Sequence, residues 1–279
     1  MTDAWTELDD APVTDPVVAA FEKFDRTIRP SNASVGSIYE ELQRLSDVLG
    51  KASFETRATG SQVRATAVAD LSDIDLLAIA KRPMSGQKSE PQEILRSLES
   101  ILMKSGLPVD RTLTTVSVDL GGDLRVDITP ATVRPIANHN DYLVPDVAGK
   151  GWIGYAPRLH DALVEDAVTR LGPHFRPMVR MLKWWSKHHS NAWQSFAIEG
   201  LVNEVFRSDI PAYPLAVSEY FASDSVTAST DRSALGALRE SRNLAQEAVG
   251  LSMDEPGACS RASELWRGVF GDRFPRISA

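Results

Sequence analysis

Two aspartates stand two positions apart in the segment TGSQVRATAVADLSDIDLLAIAKR, residues 59–82. Asp73 and Asp75 are followed by an apolar run that is typical of a core strand. Residues i and i+2 of a strand point to the same face, so the two carboxylates are expected to project together, about 7 Å apart. Two like charges there are costly unless a divalent cation such as Mg²⁺ neutralises them. Taken alone, the pair is more simply explained as two solvated aspartates at a strand end.

A Gly-Ser pair lies upstream of these aspartates. Gly60 would let a phosphate approach the backbone closely, and the hydroxyl and N–H groups at Ser61 can hold its oxygens. On its own a Gly-Ser pair is usually a plain turn. It indicates a phosphate site only together with the carboxylates that accompany it.

A third carboxylate stands on the return strand of a predicted hairpin. Asp127 lies between Val126 and Ile128 in the segment LRVDITP, and a charge among apolar neighbours needs a reason. Asp119 is an alternative at the end of the outgoing strand, but it abuts the turn, where a solvated aspartate is commonplace. Asp123 is interpreted as a turn residue.

Together, Asp73, Asp75 and Asp127 predict a three-carboxylate cluster. Such a cluster holds two divalent ions about 3.5–4 Å apart, Mg²⁺ or Mn²⁺, and serves phosphoryl-type displacement by activating one oxygen and stabilising another. The hypothesis requires the strand of Asp127 to lie beside the strand of Asp75.

The first half of the chain predicts a mixed α/β core. Apolar residues at helical spacing indicate helices, and runs of β-branched residues indicate strands. Gly121-Gly122-Asp123 joins the last two strands as a hairpin, and 82–91 is a polar loop. The predicted helices cover 14–29, capped by Thr14 or Asp15, 33–50 and 92–105; the predicted strands cover about 73–80, 112–120 and 124–131.

The second half predicts a helical lobe. Residues 142–157 are interpreted as irregular, and helices follow at about 158–171, 174–190, 194–207, 214–223, 232–249 and 258–270. The expected fold is therefore α+β and two-lobed. Residues 1–140 would form the catalytic core with its N-terminal helices, and 141–279 a C-terminal lobe that completes the cleft.

Composition narrows the functional classes. The chain of 279 residues carries a net charge of −8, so a non-specific grip on nucleic-acid backbones is not expected, although a local basic patch stays open. A single cysteine allows no internal disulfide. No apolar run approaches the roughly 20 residues that span a bilayer, and the first ten residues are unlike a signal peptide. We expect a cytoplasmic protein with no membrane partner.

The motifs resemble those of a known family. Gly-Ser, then SDIDLLAI, then a distant RVDITPA resembles the nucleotidyltransferase signature of the polymerase-β-like superfamily. The segment 144–202, which ends in RPMVRMLKWWSKHHSNAWQSFAIEGLV, is similar to the corresponding segment of the cGAS/DncV-like nucleotidyltransferases, the CD-NTases. The likeness covers about residues 35–205, with a weaker match in ELWRGVFGDRFP, 264–275.

The resemblance implies further site residues. Lys183 matches a helix lysine that reaches the donor triphosphate, and Ser195 matches a serine on the same phosphates. Phe196 falls where the family usually has an aromatic residue that stacks on the nucleotide base. The residues themselves leave alternatives open, because Lys183 also suits a solvated basic face and Phe196 also suits a core.

The resemblance also implies an activity. The chain is expected to be a Mg²⁺-dependent nucleotidyltransferase that makes a cyclic or linear oligonucleotide second messenger from NTPs in bacterial antiphage signalling. A regulatory protein or peptide activator is a compatible partner. The chain is short for the family, so activating insertions or accessory elements are expected to be missing. Because the chain is acidic overall and has no zinc-binding insertion, direct sensing of long double-stranded nucleic acid is not expected.

Three alternatives stay open at this point. In the first, the chain transfers a nucleotide to an RNA end, a protein or a small molecule instead of to a second nucleotide. In the second, it is a non-catalytic nucleotide-binding module. In the third, it is a structural α/β protein with coincidental aspartates. The last of these leaves the joint Gly-Ser and three-aspartate pattern unexplained.

Overall fold

The computed structural model describes residues 15–71, 73–81, 90–121, 124–133, 142–148, 151–251 and 257–278, with the backbone alone at 32–34. Thr14, residues 82–89 of the predicted loop, and Gly122-Asp123 of the predicted hairpin turn lie outside these ranges. The chain divides into two compact units. The sheet unit comprises Pro30–Ala65 and Ser72–Leu163; the helical unit comprises Met1–Arg29, Thr66–Leu71 and Val164–Ala279.

The strands form one mixed sheet. Their order is β1-β2-β5-β4-β3, and β6 pairs with β5 and with β7. β2 and β5 run parallel, whereas the other pairs are antiparallel. The strands are β1 (Phe54–Thr59), β2 (Ile74–Ala80), β3 (Val109–Arg111), β4 (Val116–Asp119), β5 (Arg125–Val133), β6 (Tyr142–Pro145) and β7 (Trp152–Tyr155).

Helices occur in both units. Proline stands in the first turn of several of them, where its missing N–H costs no hydrogen bond. They are α1 (Pro16–Ile28), α2 (Asn32–Lys51), α3 (Gly60–Val63), α4 (Pro91–Lys104), α5 (Pro157–Leu171), α6 (Phe175–His188), α7 (Ser195–Val205), α8 (Tyr213–Ala222), α9 (Asp224–Ser229), α10 (Leu235–Gly250) and α11 (Ala258–Phe270). No helix in the described ranges is long and apolar enough to cross a membrane.

One face of the sheet is covered by α2 and α4. Alternate residues of β2 and β5 point into this core, where they pack with Leu45, Leu49, Leu95 and Leu98. These strand residues are Ile74, Leu76, Ala78, Val126 and Ile128. The residues between them point to the opposite face, which therefore displays the polar side chains of both strands.

The helical unit is built around α1 and α6. Asp15 caps α1 by accepting hydrogen bonds from the backbone N–H of Val17 and Val18. Asp25 accepts two hydrogen bonds from Arg180, at 2.7 and 2.8 Å, and both residues are buried. Aromatic residues from α1 and the C-terminal segment pack against one another in the same unit: Phe21, Phe24, Trp266, Phe270 and Phe274.

The predicted α+β fold is confirmed, with three corrections in detail. β1 was not predicted, the strand expected over 112–120 is shorter and follows a separate β3, and the segment interpreted as irregular contains the β6–β7 hairpin. The predicted domain boundary after residue 140 divides the chain differently from the compact units. α1 belongs to the helical unit, whereas β6 and β7 belong to the sheet unit.

Candidate active site

Asp75 and Asp127 lie side by side in the sheet. The parallel register of β2 and β5 pairs Asp75 directly with Asp127. Both side chains project from the face opposite the helix-covered core, because their neighbours Ile74 and Val126 are buried in that core. Asp75 is exposed and Asp127 is half-buried. The structure thus brings two of the predicted carboxylates together.

Gly60 lies against the Asp75 carboxylate. β1 pairs antiparallel with β2, with Thr59 opposite Asp75, and the chain then turns into α3 at Gly60 with φ +79°. A Cβ atom at Gly60 would overlap Asp75 Oδ2 and come within 2.8 Å of Asp75 Cγ. The close approach and the positive φ each require glycine here. Ser61 follows in α3 and is half-buried.

The Asp127 carboxylate is held from the neighbouring strand. Ser117, which pairs with Asp127 across β4 and β5, donates a hydrogen bond of 2.5 Å to Asp127 Oδ1. Arg125 Nε lies 3.4 Å from the same oxygen. Ser117 is 3% exposed, so its hydroxyl is shielded from solvent. Hydrogen bonds to ionised groups are the stronger ones, so Ser117 restrains Asp127 firmly.

Asp73 stands just before β2 and is exposed. Within the described ranges, no three aspartate, glutamate, histidine or cysteine side chains lie close enough together to hold a metal ion. The structure therefore assembles the Asp75–Asp127 pair and does not assemble the predicted cluster of three. The rival Asp119 accepts a hydrogen bond of 2.8 Å from the backbone N–H of Gly121, as expected for a turn aspartate.

A cavity of about 270 Å³ opens beside Asp75 on the same face of the sheet. Its apolar walls include Leu77, Val144 and Ile153, and Thr114, Thr129 and Tyr155 add hydroxyl groups. Leu77 and Thr129 pair across β2 and β5, each two residues beyond the aspartates. The cavity floor is therefore the next pair of residues along the same two strands.

Tyr155 forms the polar wall of this cavity next to Asp75. Burial raises the pKa of its phenol; a hydrogen bond with Thr59 opposes the rise, and the negative charge of Asp75 adds to it. The phenol is therefore neutral near pH 7, and Tyr155 presents an O–H group beside the carboxylate.

Lys183 lies in the interior of the helical unit. Its ammonium group donates to Glu199 Oε1 at 2.9 Å, to Thr66 Oγ1 at 2.9 Å and to the backbone carbonyl of Thr66 at 3.3 Å. Thr66 Oγ1 donates in turn to Glu199 Oε1 at 2.6 Å. Lys183 is 6% exposed and Glu199 is 3% exposed. This arrangement differs from the solvated face considered for Lys183, because the lysine belongs to a buried ion pair.

Ser195 and Phe196 begin α7. Both are exposed, and Phe196 leaves 59% of its surface accessible. The core role considered for Phe196 is therefore not what the structure shows. An exposed aromatic ring at a helix start is compatible with the stacking role that the resemblance implies.

Sequence reasoning missed Ser117, Thr129 and Tyr155. A serine or threonine in a strand carries no charge that must be explained, and its neighbours depend on strand order. One signal was present, because Ser117 lies in the strand predicted over 112–120 and Thr129 in the strand predicted over 124–131.

No protein-family model matches the chain. The chain is similar to the cyclic AMP-AMP-AMP synthase of an Acinetobacter species, with 23% identity over 299 residues that cover 90% of this chain and 83% of that protein.

Solved structures share the fold. CdnC of E. coli MS115-1, solved with ATP, superposes with a TM-score of 0.74 at 16% identity, covering 94% of this chain and 99% of that one. CdnC in its complex with HORMA-deltaN, also from E. coli MS115-1, superposes with a TM-score of 0.73 at 18% identity, covering 94% of this chain and 98% of that one. The CD-NTase CdnG of Bradyrhizobium diazoefficiens, in complex with GTP, gives 0.66 at 15% identity, covering 94% and 97%.

Proposed function

We infer the activity of this chain from its place among the cGAS/DncV-like nucleotidyltransferases, the family that its motifs predicted and that its relatives and fold indicate. We propose that it is a nucleotidyltransferase that joins NTPs into a cyclic or linear oligonucleotide. The name of the Acinetobacter relative, cyclic AMP-AMP-AMP synthase, supports this product class. The ATP bound to CdnC and the GTP bound to CdnG support NTPs as substrates.

One observation carries the proposal. Asp75 and Asp127 share a register position on parallel strands, and the Gly60 turn closes against Asp75. Two carboxylates beside a glycine turn are an arrangement suited to a cation and the phosphate that it binds. A structural α/β protein has no need of a carboxylate pair on an open sheet face.

The metal is part of the proposal. Carboxylate oxygens are the ligands that Mg²⁺ and Mn²⁺ prefer, and Asp75 and Asp127 present them from one face, so the donor set fits a hard divalent ion. Asp73, at the start of β2, is the third proposed ligand. When bound, two such ions neutralise charge on the phosphates and on the attacking and leaving oxygens.

The residues of the chain then have separate tasks. Ser61 and the backbone around it hold phosphate oxygens of the donor, and Lys183 and Ser195 are the proposed contacts of its triphosphate. Phe196 stacks on the donor base. The oxygen of the acceptor 2′- or 3′-hydroxyl bonds to the α-phosphorus, the bond from that phosphorus to the bridging oxygen breaks, and pyrophosphate leaves. Asp127 takes the hydroxyl proton.

A regulatory partner and a biological role are proposed by analogy with related proteins. CdnC forms a complex with HORMA-deltaN, which supports a regulatory protein as a partner of this chain. A role in antiphage signalling in the bacterial cytoplasm is proposed on the resemblance alone.

Incubation of the purified chain with each labelled NTP, and with mixtures, in Mg²⁺ or Mn²⁺ tests the activity. Products are identified by chromatography and mass spectrometry. We expect oligonucleotide product from the wild type and a loss of at least 100-fold in Asp75→Asn and in Asp127→Asn, since each replaces a charged ligand of the proposed divalent ions with a neutral amide. Asp119→Asn, a turn aspartate, serves as the matched control and should retain activity.

Two outcomes contradict the proposal. Product formation at wild-type rates by both variants would show that the carboxylate pair is not the reacting site. Labelling of an added RNA or protein, with no product from NTPs alone, would assign a different acceptor.

A further inference from the structure

The short segment Thr66–Leu71 connects two parts of the candidate active site. It follows the Gly60 turn and α3, and it ends two residues before Asp73. The residues on either side of it belong to the sheet unit, whereas the segment itself packs with the helical unit. The contacts that hold Leu71 in place therefore restrain the point from which Asp73 and β2 begin.

The backbone adopts costly conformations at both ends of this segment. Ala65, just before it, has φ +55°, and Asp70 has φ +61°. Only glycine adopts these left-handed values freely, and alanine has no polar side chain that would favour them. Such strain persists where the surrounding structure over-determines it, and it clusters at functional sites. We therefore expect the segment to be fixed by its contacts.

The start of the segment is fixed by buried polar contacts. Thr66 is completely buried; it accepts hydrogen bonds from Lys183 and donates one to Glu199. Farther along, the backbone N–H of Ala69 donates to the carbonyl of Ile28 at 2.7 Å. The Thr66 hydroxyl both accepts and donates, so its replacement by a methyl group would remove two hydrogen bonds at once.

The end of the segment is fixed by Arg273. Asp70 Oδ2 accepts a hydrogen bond from Arg273 Nη2 at 3.2 Å, and the Arg273 guanidinium lies 4.8 Å from the ring centroid of Trp184. Trp184 follows Lys183 in α6, so neighbouring residues of one helix secure both ends of the segment. Arg273 belongs to the motif ELWRGVFGDRFP, 264–275, which has no task in the proposed function.

We propose that Thr66 and Arg273 are positioning residues: they hold Thr66–Leu71 in the conformation from which Asp73 and Asp75 bind divalent ions. The inference rests on the metal site of the proposed function. Both residues act through the backbone that leads to Asp73, and neither is proposed to touch substrate or metal. Release of either end gives Leu71 and Asp73 freedom to move, so the affinity for a divalent ion should fall.

Mn²⁺ binding without nucleotide tests this role, because no triphosphate is then present for Lys183 to contact. The intact chain is titrated with Mn²⁺, and free Mn²⁺ is followed by electron paramagnetic resonance. We expect Thr66→Val to weaken binding roughly three- to tenfold, and Thr66→Ser, which keeps the hydroxyl, to recover most of the affinity. Arg273→Met should weaken binding about twofold, since its ion pair is partly exposed. Asp75→Asn should abolish binding, which identifies the site.

Two controls separate positioning from general stability. Ser241→Ala leaves the buried indole N–H of Trp185 without its partner, so it should lower the urea unfolding midpoint much as Thr66→Val does. Its Mn²⁺ affinity should equal that of the wild type. Arg276→Met removes an exposed ion pair with Glu264 and should change neither the midpoint nor the affinity.

The inference is overturned if either Thr66→Val or Arg273→Met binds Mn²⁺ as the wild type does, or if Ser241→Ala weakens binding as much as Thr66→Val. It is also overturned if the wild type binds no Mn²⁺, since the segment would then have no metal affinity to set.

Product formation separates this inference from the proposed function. A wild type that makes oligonucleotide from NTPs, with an Mn²⁺ affinity that neither Thr66→Val nor Arg273→Met changes, would reject the inference alone. Weaker Mn²⁺ binding by both variants of a chain that makes no product would instead reject nucleotidyl transfer and leave a metal site that the segment positions.

Discussion

The ammonium group of Lys183 lies 2.9 Å from the carboxylate of Glu199, and both side chains are almost completely buried. The two residues join α6 to α7, and Thr66 hydrogen-bonds to both partners. Thr66 belongs to the short segment Thr66–Leu71, which packs with the helical unit although its flanking residues belong to the sheet unit. The ion pair therefore fixes that segment on the helical unit, whatever else Lys183 contacts.

Removal of one member of this pair should destabilise the protein strongly. Lys183→Met leaves the Glu199 carboxylate buried without its charge partner, and such changes typically cost about 3–5 kcal/mol. Urea unfolding measures the loss. The double variant Lys183→Met with Glu199→Leu should recover part of it, because no charge then stays buried. Lys187→Met, exposed on the same helix, should change the free energy of unfolding by less than about 0.5 kcal/mol. Equal stabilities for Lys183→Met and Lys187→Met would contradict the prediction.

Gly60→Ala should abolish nucleotidyl transfer with little loss of stability. The new methyl group would displace the Asp75 carboxylate, so we expect at least a 100-fold drop in product formation. The backbone penalty alone is about 1 kcal/mol.

Gly106→Ala isolates that backbone penalty. Gly106 has φ +77°, close to the +79° of Gly60, but nothing lies within 4 Å of the place that its new methyl group would take. It should therefore show a similar change in the urea unfolding midpoint and retain the wild-type rate. If both variants lose activity alike, the contact with Asp75 is not the cause.

Tyr213 and Tyr220 should make the protein sensitive to alkali. Their hydroxyls are buried and have no hydrogen-bond partner among the described residues. Burial raises the pKa of both phenols far above the ordinary value of 10.0. The tyrosines of the unfolded chain then ionise first, so their ionisation lowers the stability as the pH rises above about 10 and has no effect on it at neutral pH.

Tyr220→Phe should reduce that loss. The substitution removes an unsatisfied hydroxyl, so the free energy of unfolding at pH 7 should stay equal or rise by about 1 kcal/mol. Urea unfolding at pH 7 and pH 10.5 measures both effects. The prediction is contradicted if Tyr220→Phe is less stable than the wild type at pH 7 and loses as much stability as the wild type does between pH 7 and pH 10.5. That result would show that the Tyr220 hydroxyl stabilises the fold.

The helices were predictable because their signals are local. Apolar residues at helical spacing marked them directly, and Pro16 marked the first turn of α1. β1 was missed because its sequence FETRAT is buried only at its two ends and shows no alternation. β6 and β7 have four residues each, too few for a periodic signal.

The carboxylate pair was predictable for an energetic reason. Asp75 and Asp127 each interrupt an apolar strand, and a charge in such a place demands an explanation. The partners of these residues were not predictable. Ser117 and Thr129 contribute through strand order and register, and the pairing of Lys183 with Glu199 depends on how α6 packs with α7.

Ser117→Ala should lower the rate of transfer without weakening NTP binding. Ser117 restrains Asp127 through Oδ1, and loss of a hydrogen bond to a charged group costs about 1.5–3 kcal/mol, so kcat should fall roughly tenfold or more. The KM for NTP should stay within twofold, because Ser117 contacts Asp127 rather than substrate. Ser117→Thr keeps a hydroxyl and should recover most of the rate. A Ser117→Ala variant with the wild-type kcat would show that Asp127 needs no support from β4.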